Sequence, residues 1–175
     1  FTLPLSILSF VLIPQFMTLW LGEDFSRLST WPFRLLVLAN LSYLGTYLPY
    51  GLAVGRGAPH LSAYVNLAKA ALLMALWPLC IPRWGILGAA VGLLIAELAT
   101  MPFYVHHIHR RFLGVGWQEF WSEACWRPVF AGLGLAALGL ATHGVIDTWA
   151  GMVGFAAVGA ALFFGLGYWA LDRDA

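Results

Sequence analysis

Two charged side chains interrupt the most apolar part of this 175-residue sequence. Lys69 is the only lysine, and it stands within AYVNLAKAALLMALWPLC, three residues after Asn66. Glu97 stands in the next apolar run, ILGAAVGLLIAELATMPFYV. A charge placed in hydrocarbon costs roughly 3 kcal/mol on insertion scales, so it should face a partner or a water-filled cavity. A cation, a carboxylate and an amide in such a setting can bind a polar or charged ligand.

Lys69 and Glu97 lie on neighbouring apolar runs that are joined only by PRWG, residues 82–85. Two helices with so short a connection should pack antiparallel, which brings the two side chains to similar depths. We therefore predict that they share a polar path with Asn66, either as a buried ion pair or facing a central cavity. Two alternatives stay open: Lys69 can snorkel to the headgroups, and Glu97 can be protonated and hydrogen-bonded within the bundle.

Arg56, in VGRGAP, is a second candidate binding residue, at the inner end of an apolar run. A guanidinium there can contact a phosphate. It can equally be a plain positive-inside anchor.

A cluster of histidines and arginines follows the fourth apolar run: His106, His107, His109, Arg110 and Arg111. No Cys, Asp or Glu lies nearby to complete a tetrahedral metal site. Cations at a helix C-terminus interact favourably with the helix dipole. We therefore interpret the cluster as an interfacial cap and predict no metal site.

Motifs for covalent or metal-dependent catalysis do not occur: there is no H-E-x-x-H, no G-x-S-x-G and no glycine-rich phosphate loop. We predict no catalytic residue, no enzyme activity and no cofactor. The net charge is +1 and no dense basic cluster is present, which argues against nucleic acid as a partner.

The composition indicates which kind of structure positions these side chains. The sequence is 61% hydrophobic and 10% charged, with a mean hydropathy of +0.81, which is typical of an all-α integral membrane protein. A helix needs about 20 apolar residues to cross a bilayer. Six runs meet that length approximately: 3–21, 33–54, 61–81, 86–105, 129–145 and 149–171.

Residues 116–126 follow a different pattern, because Trp117, Phe120, Trp121 and Ala124 recur on one helical face. This spacing predicts one amphipathic helix lying in the membrane interface. We interpret residues 1–175 as a single transmembrane helical domain. The chain starts at Phe1 without an initiator methionine, and we expect a fragment that lacks an N-terminal lobe.

The arginines predict the orientation. Five of them fall on the side where the first run begins, at positions 56, 110, 111, 127 and 173, and three fall on the other side, at positions 27, 34 and 83. The positive-inside rule then places both ends in the cytoplasm. Cys80 and Cys125 lie near opposite faces in this topology, so they should not pair.

Small residues predict where two of the helices touch. Gly88, Gly92 and Ala96 repeat at every fourth position of the fourth run. Such spacing lets helix backbones approach closely.

Three blocks are the basis of a family resemblance: FMTLWLGEDF (16–25), GLAVGRGAPHLSAYVNL (51–67) and IPRWGILGAAVG (81–92). Their succession resembles the C-terminal part of bacterial polysaccharide flippases, in the multidrug/oligosaccharidyl-lipid/polysaccharide exporter superfamily. The resemblance implies the C-terminal lobe of a two-lobed transporter in the bacterial inner membrane. It implies transport of undecaprenyl-diphosphate-linked oligosaccharide by alternating access, with Lys69, Glu97 and Asn66 lining the substrate path and Arg56 at a cytoplasmic gate.

The same resemblance implies the partners: the lipid-linked oligosaccharide, membrane lipids, and a missing N-terminal lobe or a partner chain. Other function classes stay open, namely a multidrug/cation antiporter of the superfamily, an integral-membrane acyltransferase that modifies surface glycans, and a non-transporting scaffold. The sugar, the coupling ion and the oligomeric state are not specified by the sequence.

Overall fold

The computed structural model describes residues 2–108, 110–111, 148–151, 153–155, 157–159, 161 and 165. Within these ranges the chain is helical apart from short turns, and it contains no β-strand. The all-α class predicted from the sequence is therefore confirmed for this part of the chain. The predicted span 129–145 and the predicted interfacial helix 116–126 lie outside the described residues.

Five consecutive helices are described in full: α1 (Thr2–Leu21), α2 (Glu23–Leu44), α3 (Tyr47–Gly55), α4 (Pro59–Trp84) and α5 (Ile86–Ile108). The first, third and fourth predicted spans correspond to α1, α4 and α5, which extend one to three residues beyond the predicted bounds. In the sixth predicted span, residues 149–151, 153–155 and 157–159 are also helical.

The predicted second span, 33–54, is not one continuous helix, because α2 ends at Leu44 and α3 begins at Tyr47. Pro49 fits the break, because in a continuous helix its ring would crowd the carbonyl of Gly45 and leave it without a donor. Proline alone is not sufficient, since α1, α2, α4 and α5 each contain an internal proline without breaking. In the first turn of a new helix a proline is tolerated. Thr46 closes the turn, since its backbone N–H (2.9 Å) and its Oγ1 (2.6 Å) both donate to the Tyr43 carbonyl.

Helix α2 also begins at Glu23, ten residues before the predicted start of the second apolar run. Gly22 makes the turn after α1 with a φ of 90°, a value that glycine adopts without strain. Glu23 and Asp24 then occupy the first turn of α2, where carboxylates interact favourably with the helix dipole. Ser26 ties this turn to α1, because its Oγ donates to the Pro14 carbonyl over 3.1 Å.

Helices α4 and α5 form a hairpin around Gly85, which has a φ of 56° and donates its N–H to the Ile81 carbonyl over 2.8 Å. Gly88 packs directly against the Cys80 carbonyl of α4, so that a Cβ at this position would overlap it. A Cβ at Gly92 would lie 3.0 Å from the Trp77 ring. The predicted packing role of these two glycines is therefore confirmed.

Helices α4 and α5 are long and apolar enough to cross a membrane, and no other helix of the described residues meets both conditions. At 1.5 Å per residue they are about 39 and 35 Å long. Only 6% of the most apolar window of α4 is buried within the chain, which is unlike the core helix of a soluble domain. Large side chains such as Met74 (78% exposed) and Phe103 (70% exposed) point outward.

The chain divides into two compact units, Phe1–Thr30 with Glu123–Ala175, and Trp31–Ser122. In the first unit, Leu8 and Leu12 of α1 pack with Phe155. In the second unit, Ala53 of α3 packs against Tyr104 and Ile108 of α5. That the whole chain acts as one domain stays a prediction.

We expect Gly88→Ala to lower the thermal stability of the protein, because the added methyl must push α5 away from the Cys80 carbonyl. Overpacking of this kind costs about 1–3 kcal/mol. Gly51→Ala is the matched control, since this helical glycine of α3 has nothing within 4 Å of an added Cβ. The measurement is the melting temperature in detergent, and equal melting temperatures for the two variants would contradict the close packing.

Candidate functional site

An ion pair joins the middle of α4 to the middle of α5. Lys69 Nζ donates to Glu97 Oε1 over 2.7 Å, and the two side chains are only 15% and 8% exposed. The pairing considered in the sequence analysis is thus present in the structure. The alternative in which Lys69 snorkels away from Glu97 does not occur.

Each helix of the hairpin contributes a polar stripe to the site. On α4, Ser62 and Asn66 lie seven and three residues before Lys69, and on α5, Thr100 and Tyr104 lie three and seven residues after Glu97. Positions separated by three, four or seven residues share one face of a helix. The two polar faces therefore oppose each other along the hairpin.

A second contact fixes the register of the two stripes. The Ser62 hydroxyl and the Tyr104 hydroxyl are 2.6 Å apart and buried. This pair lies seven residues from the ion pair on both helices, so it reproduces the same register two turns away. These two polar contacts, seven residues apart on each helix, hold the two polar stripes face to face.

Tyr43, at the end of α2, completes the surroundings of the ion pair. Lys69 Nζ lies 5.0 Å from the centroid of the Tyr43 ring, a position at which the ring face attracts a cation. The Tyr43 ring in turn packs edge-on against Tyr47 across the break between α2 and α3, with centroids 5.4 Å apart. The break therefore places two aromatic rings beside the ion pair.

A cavity of about 240 Å³ lies among these helices. Ten of its twelve lining residues have a polar side-chain atom, and the remaining two are Val65 and Met101. The polar ones are Tyr43, Thr46, Tyr47, Tyr50, Ser62, Asn66, Lys69, Glu97, Thr100 and Tyr104. Most of the surface that these residues present to the cavity is nevertheless apolar, as in typical small-molecule pockets.

One polar atom of the site has no hydrogen-bond partner among the described residues. Glu97 Oε2 is buried and accepts no hydrogen bond, while Oε1 is bound to Lys69. Buried carboxylate oxygens are normally satisfied, and each exception needs an explanation. This atom has almost no accessible surface, so a ligand or water reaches it only when the surrounding side chains move.

The structure brings together three of the four site residues that the sequence suggested. Asn66, Lys69 and Glu97 line the same cavity. Arg56 is not among its lining residues; it lies exposed in the turn after α3, where its backbone N–H donates to the Leu52 carbonyl. A role for Arg56 at a gate or a lipid headgroup stays a prediction.

Sequence analysis missed Tyr43, Ser62, Thr100 and Tyr104. For the last three a signal existed, because they continue the helical faces of Lys69 and Glu97 at spacings of three and seven residues. For Tyr43 no such signal existed, since its place depends on where α2 ends.

From the sequence we interpret the histidine cluster as an interfacial cap. A cap requires exposed side chains, and the described histidines of the cluster are exposed. His106 and His107 are exposed, and the His107 ring stacks on Phe103 at 6.2 Å between centroids. His109 lies outside the described residues. Within the described ranges, no three His, Cys, Asp or Glu side chains are placed to hold a metal ion.

Comparison with known proteins identifies no relative of this chain. No family model, curated protein or solved structure matches this chain. The resemblance to polysaccharide flippases therefore stays a prediction from the sequence blocks.

The arrangement can bind but has no evident means of covalent chemistry. It combines a cation, a carboxylate with one unused oxygen, an amide and several hydroxyl groups around a small cavity. These groups can accept and donate hydrogen bonds to a polar ligand in several directions. The described lining residues include no cysteine or histidine, and the Ser62 hydroxyl is paired with Tyr104.

We expect single substitutions at the ion pair to destabilise the protein more than the double substitution. Glu97→Leu leaves Lys69 buried without its counter-charge, a change that typically costs about 3–5 kcal/mol. Lys69→Leu combined with Glu97→Leu removes both charges and should recover most of that loss. Thermal unfolding in detergent, monitored by tryptophan fluorescence, measures the coupling.

Strictly additive losses of stability in the double variant would contradict this prediction. If the double variant were destabilised by the sum of the two single effects, Lys69 and Glu97 would not be energetically coupled.

Proposed function

We propose that this protein is a transporter that flips an undecaprenyl-diphosphate-linked oligosaccharide across the bacterial inner membrane for surface polysaccharide synthesis. The observation that supports this most directly is the buried Lys69–Glu97 pair beside a polar cavity, set between two apolar helices long enough to cross a bilayer. Ionisable residues within apolar spans occur mainly along substrate and ion pathways.

The membrane setting is supported by the outward face of the hairpin. Leu67 and Leu98 are 70% and 53% exposed, and exposed leucine side chains pack favourably against lipid chains. An apolar surface this extensive is rare on a soluble monomer. We propose six spans with both ends of this chain in the cytoplasm, as the arginine distribution predicts.

The break between α2 and α3 also supports a transport role. Transporters commonly build their substrate sites near discontinuous helices, where backbone groups are freed. Here Gly45 and Thr46 interrupt the helix beside the cavity, and Thr46 lines it. We propose that a second lobe, in this polypeptide or in a partner chain, closes the other side of the path.

The functional test is complementation of a bacterial strain that lacks the gene. We expect the Lys69→Leu/Glu97→Leu protein to reach the membrane in normal amounts but to restore less than one tenth of the surface polysaccharide. Lipid-linked glycan should then accumulate on the cytoplasmic side. The physical reason is that the double variant keeps the packing of the hairpin but removes both charges from the path.

Glu23→Gln is the matched control, because it removes a carboxylate from the exposed first turn of α2. It should restore surface polysaccharide fully. Full restoration by the Lys69→Leu/Glu97→Leu protein would remove these two residues from the proposed path.

A multidrug/cation antiporter is the second candidate, and the observation that favours it is the carboxylate of Glu97 beside the cavity, since carboxylates attract cations. Lys69 Nζ, 2.7 Å from Glu97 Oε1, opposes it by repelling a cation. The two candidates differ in phenotype: loss of an antiporter gene should sensitise cells to cationic drugs without accumulation of lipid-linked glycan.

A further inference from the structure

A groove of about 390 Å³ runs along one face of α4, close to the C-terminal end of the helix. The side chains that line it are Met74, Trp77, Pro78, Ile81 and Pro82. Their positions recur at intervals of three and four residues, so they share one helical face. Apart from the indole N–H of the tryptophan, this lining is apolar. The groove is therefore suited to an apolar ligand.

The walls of this groove are fixed before any ligand arrives. Trp77 Nε1 donates to the Ala89 carbonyl of α5 over 3.3 Å, and the indole ring lies close to Gly92. The side chains of Pro78 and Pro82 are closed onto the backbone as rings, so neither can rotate to fill the space. A ligand therefore meets a groove that keeps its shape.

The side chains of the groove fit a hydrocarbon chain better than a second helix. Helices associate in a membrane through small residues, which let their backbones approach, and α5 uses Gly88 and Gly92 in this way against Cys80 of α4. The described residues that line the groove include no Gly, Ala, Ser or Thr. Met74 and Ile81 would hold another helix away from the α4 backbone, whereas a single acyl chain can lie between them.

The length of the groove matches one leaflet of a bilayer. Helix α4 ends at Trp84, which is exposed, and tryptophan is favoured at the level of the lipid headgroups. Met74 lies ten residues earlier, about 15 Å along the helix, and the hydrocarbon core of a bilayer is about 30 Å thick. Arg83 is also exposed at this end, and a guanidinium can bind a lipid phosphate.

We propose that this groove binds one acyl chain of a membrane phospholipid, with the phosphate beside Arg83 and Trp84 and the end of the chain beside Met74. In the proposed topology this phospholipid belongs to the outer leaflet. The inference goes beyond the proposed function, because it concerns a lipid that is bound rather than transported. It requires only that α4 crosses the bilayer.

The test uses the full chain in nanodiscs of phosphatidylethanolamine and phosphatidylglycerol. Two photoreactive phosphatidylethanolamines are added to separate samples, one with a diazirine at the end of an acyl chain and one with a diazirine beside the glycerol ester. After illumination, mass spectrometry of the peptides locates the labelled residues. We expect the chain-end probe to label Met74 and the glycerol-end probe to label residues between Ile81 and Trp84, because the groove holds the chain parallel to α4.

Ile81→Trp probes the groove itself, because the larger side chain fills it. Leu79→Trp is the matched control, since Leu79 is exposed on α4 but does not line the groove. Ile81→Trp should lower the chain-end labelling of Met74 by about fivefold or more, a factor that corresponds to about 1 kcal/mol of lost packing. Leu79→Trp should leave this labelling unchanged.

The wild-type labelling alone can overturn the inference, so the test does not depend on whether Ile81→Trp folds. Labelling of Met74 no stronger than that of Leu98, an exposed leucine of α5 at a similar depth, would show only the general contact of the bilayer and overturn it. Absence of label between Met74 and Trp84 would overturn it as well, since protein would then cover the groove. Equal labelling in the two tryptophan variants would also count against it. Failure of the flipping assay with groove-dependent labelling intact would overturn the proposed function alone.

Discussion

The contact between Lys69 and Glu97 constrains the whole hairpin of α4 and α5. Removing two charges from water costs several kcal/mol for each ion even after relaxation, and the pair repays this only when its geometry is close. The 2.7 Å separation therefore requires one particular register of the two helices. The buried Ser62–Tyr104 contact holds the same register two turns away, and Gly88 and Gly92 let the backbones come near enough for both contacts to form.

The cavity depends on that register and on the break in the preceding helix. Had residues 33–54 formed one straight helix, Pro49 would have crowded the Gly45 carbonyl and left it without a donor, a cost that the other helices tolerate at their own internal prolines. Ending α2 at Leu44 and starting α3 at Tyr47 removes this conflict. It also places Tyr43 over the Lys69 ammonium and Thr46 on the cavity wall, so a local backbone constraint supplies part of the site.

Neutrality distinguishes this site from a simple ion-binding centre. A lone buried carboxylate attracts cations and a lone buried lysine attracts anions, whereas the closed pair presents little net charge to either. The unpaired Oε2 of Glu97 has almost no accessible surface, and the Thr46 and Thr100 hydroxyls already donate to the carbonyls of Tyr43 and Ala96.

The sequence by itself determined the helical class, the bounds of α1, α4 and α5 within a few residues, and the neighbourhood of Lys69 and Glu97. These follow from long apolar runs and a four-residue connection, which are local properties of the chain. It could not locate the break before α3, because Pro49 resembles the prolines that lie inside α1, α2, α4 and α5 without breaking them. Tertiary structure alone decided that Tyr43 lies beside Lys69, that Arg56 lies away from the cavity, and that Oε2 of Glu97 is left without a partner. Each of these depends on how side chains from separate helices meet in space, which residue spacing within one helix does not specify.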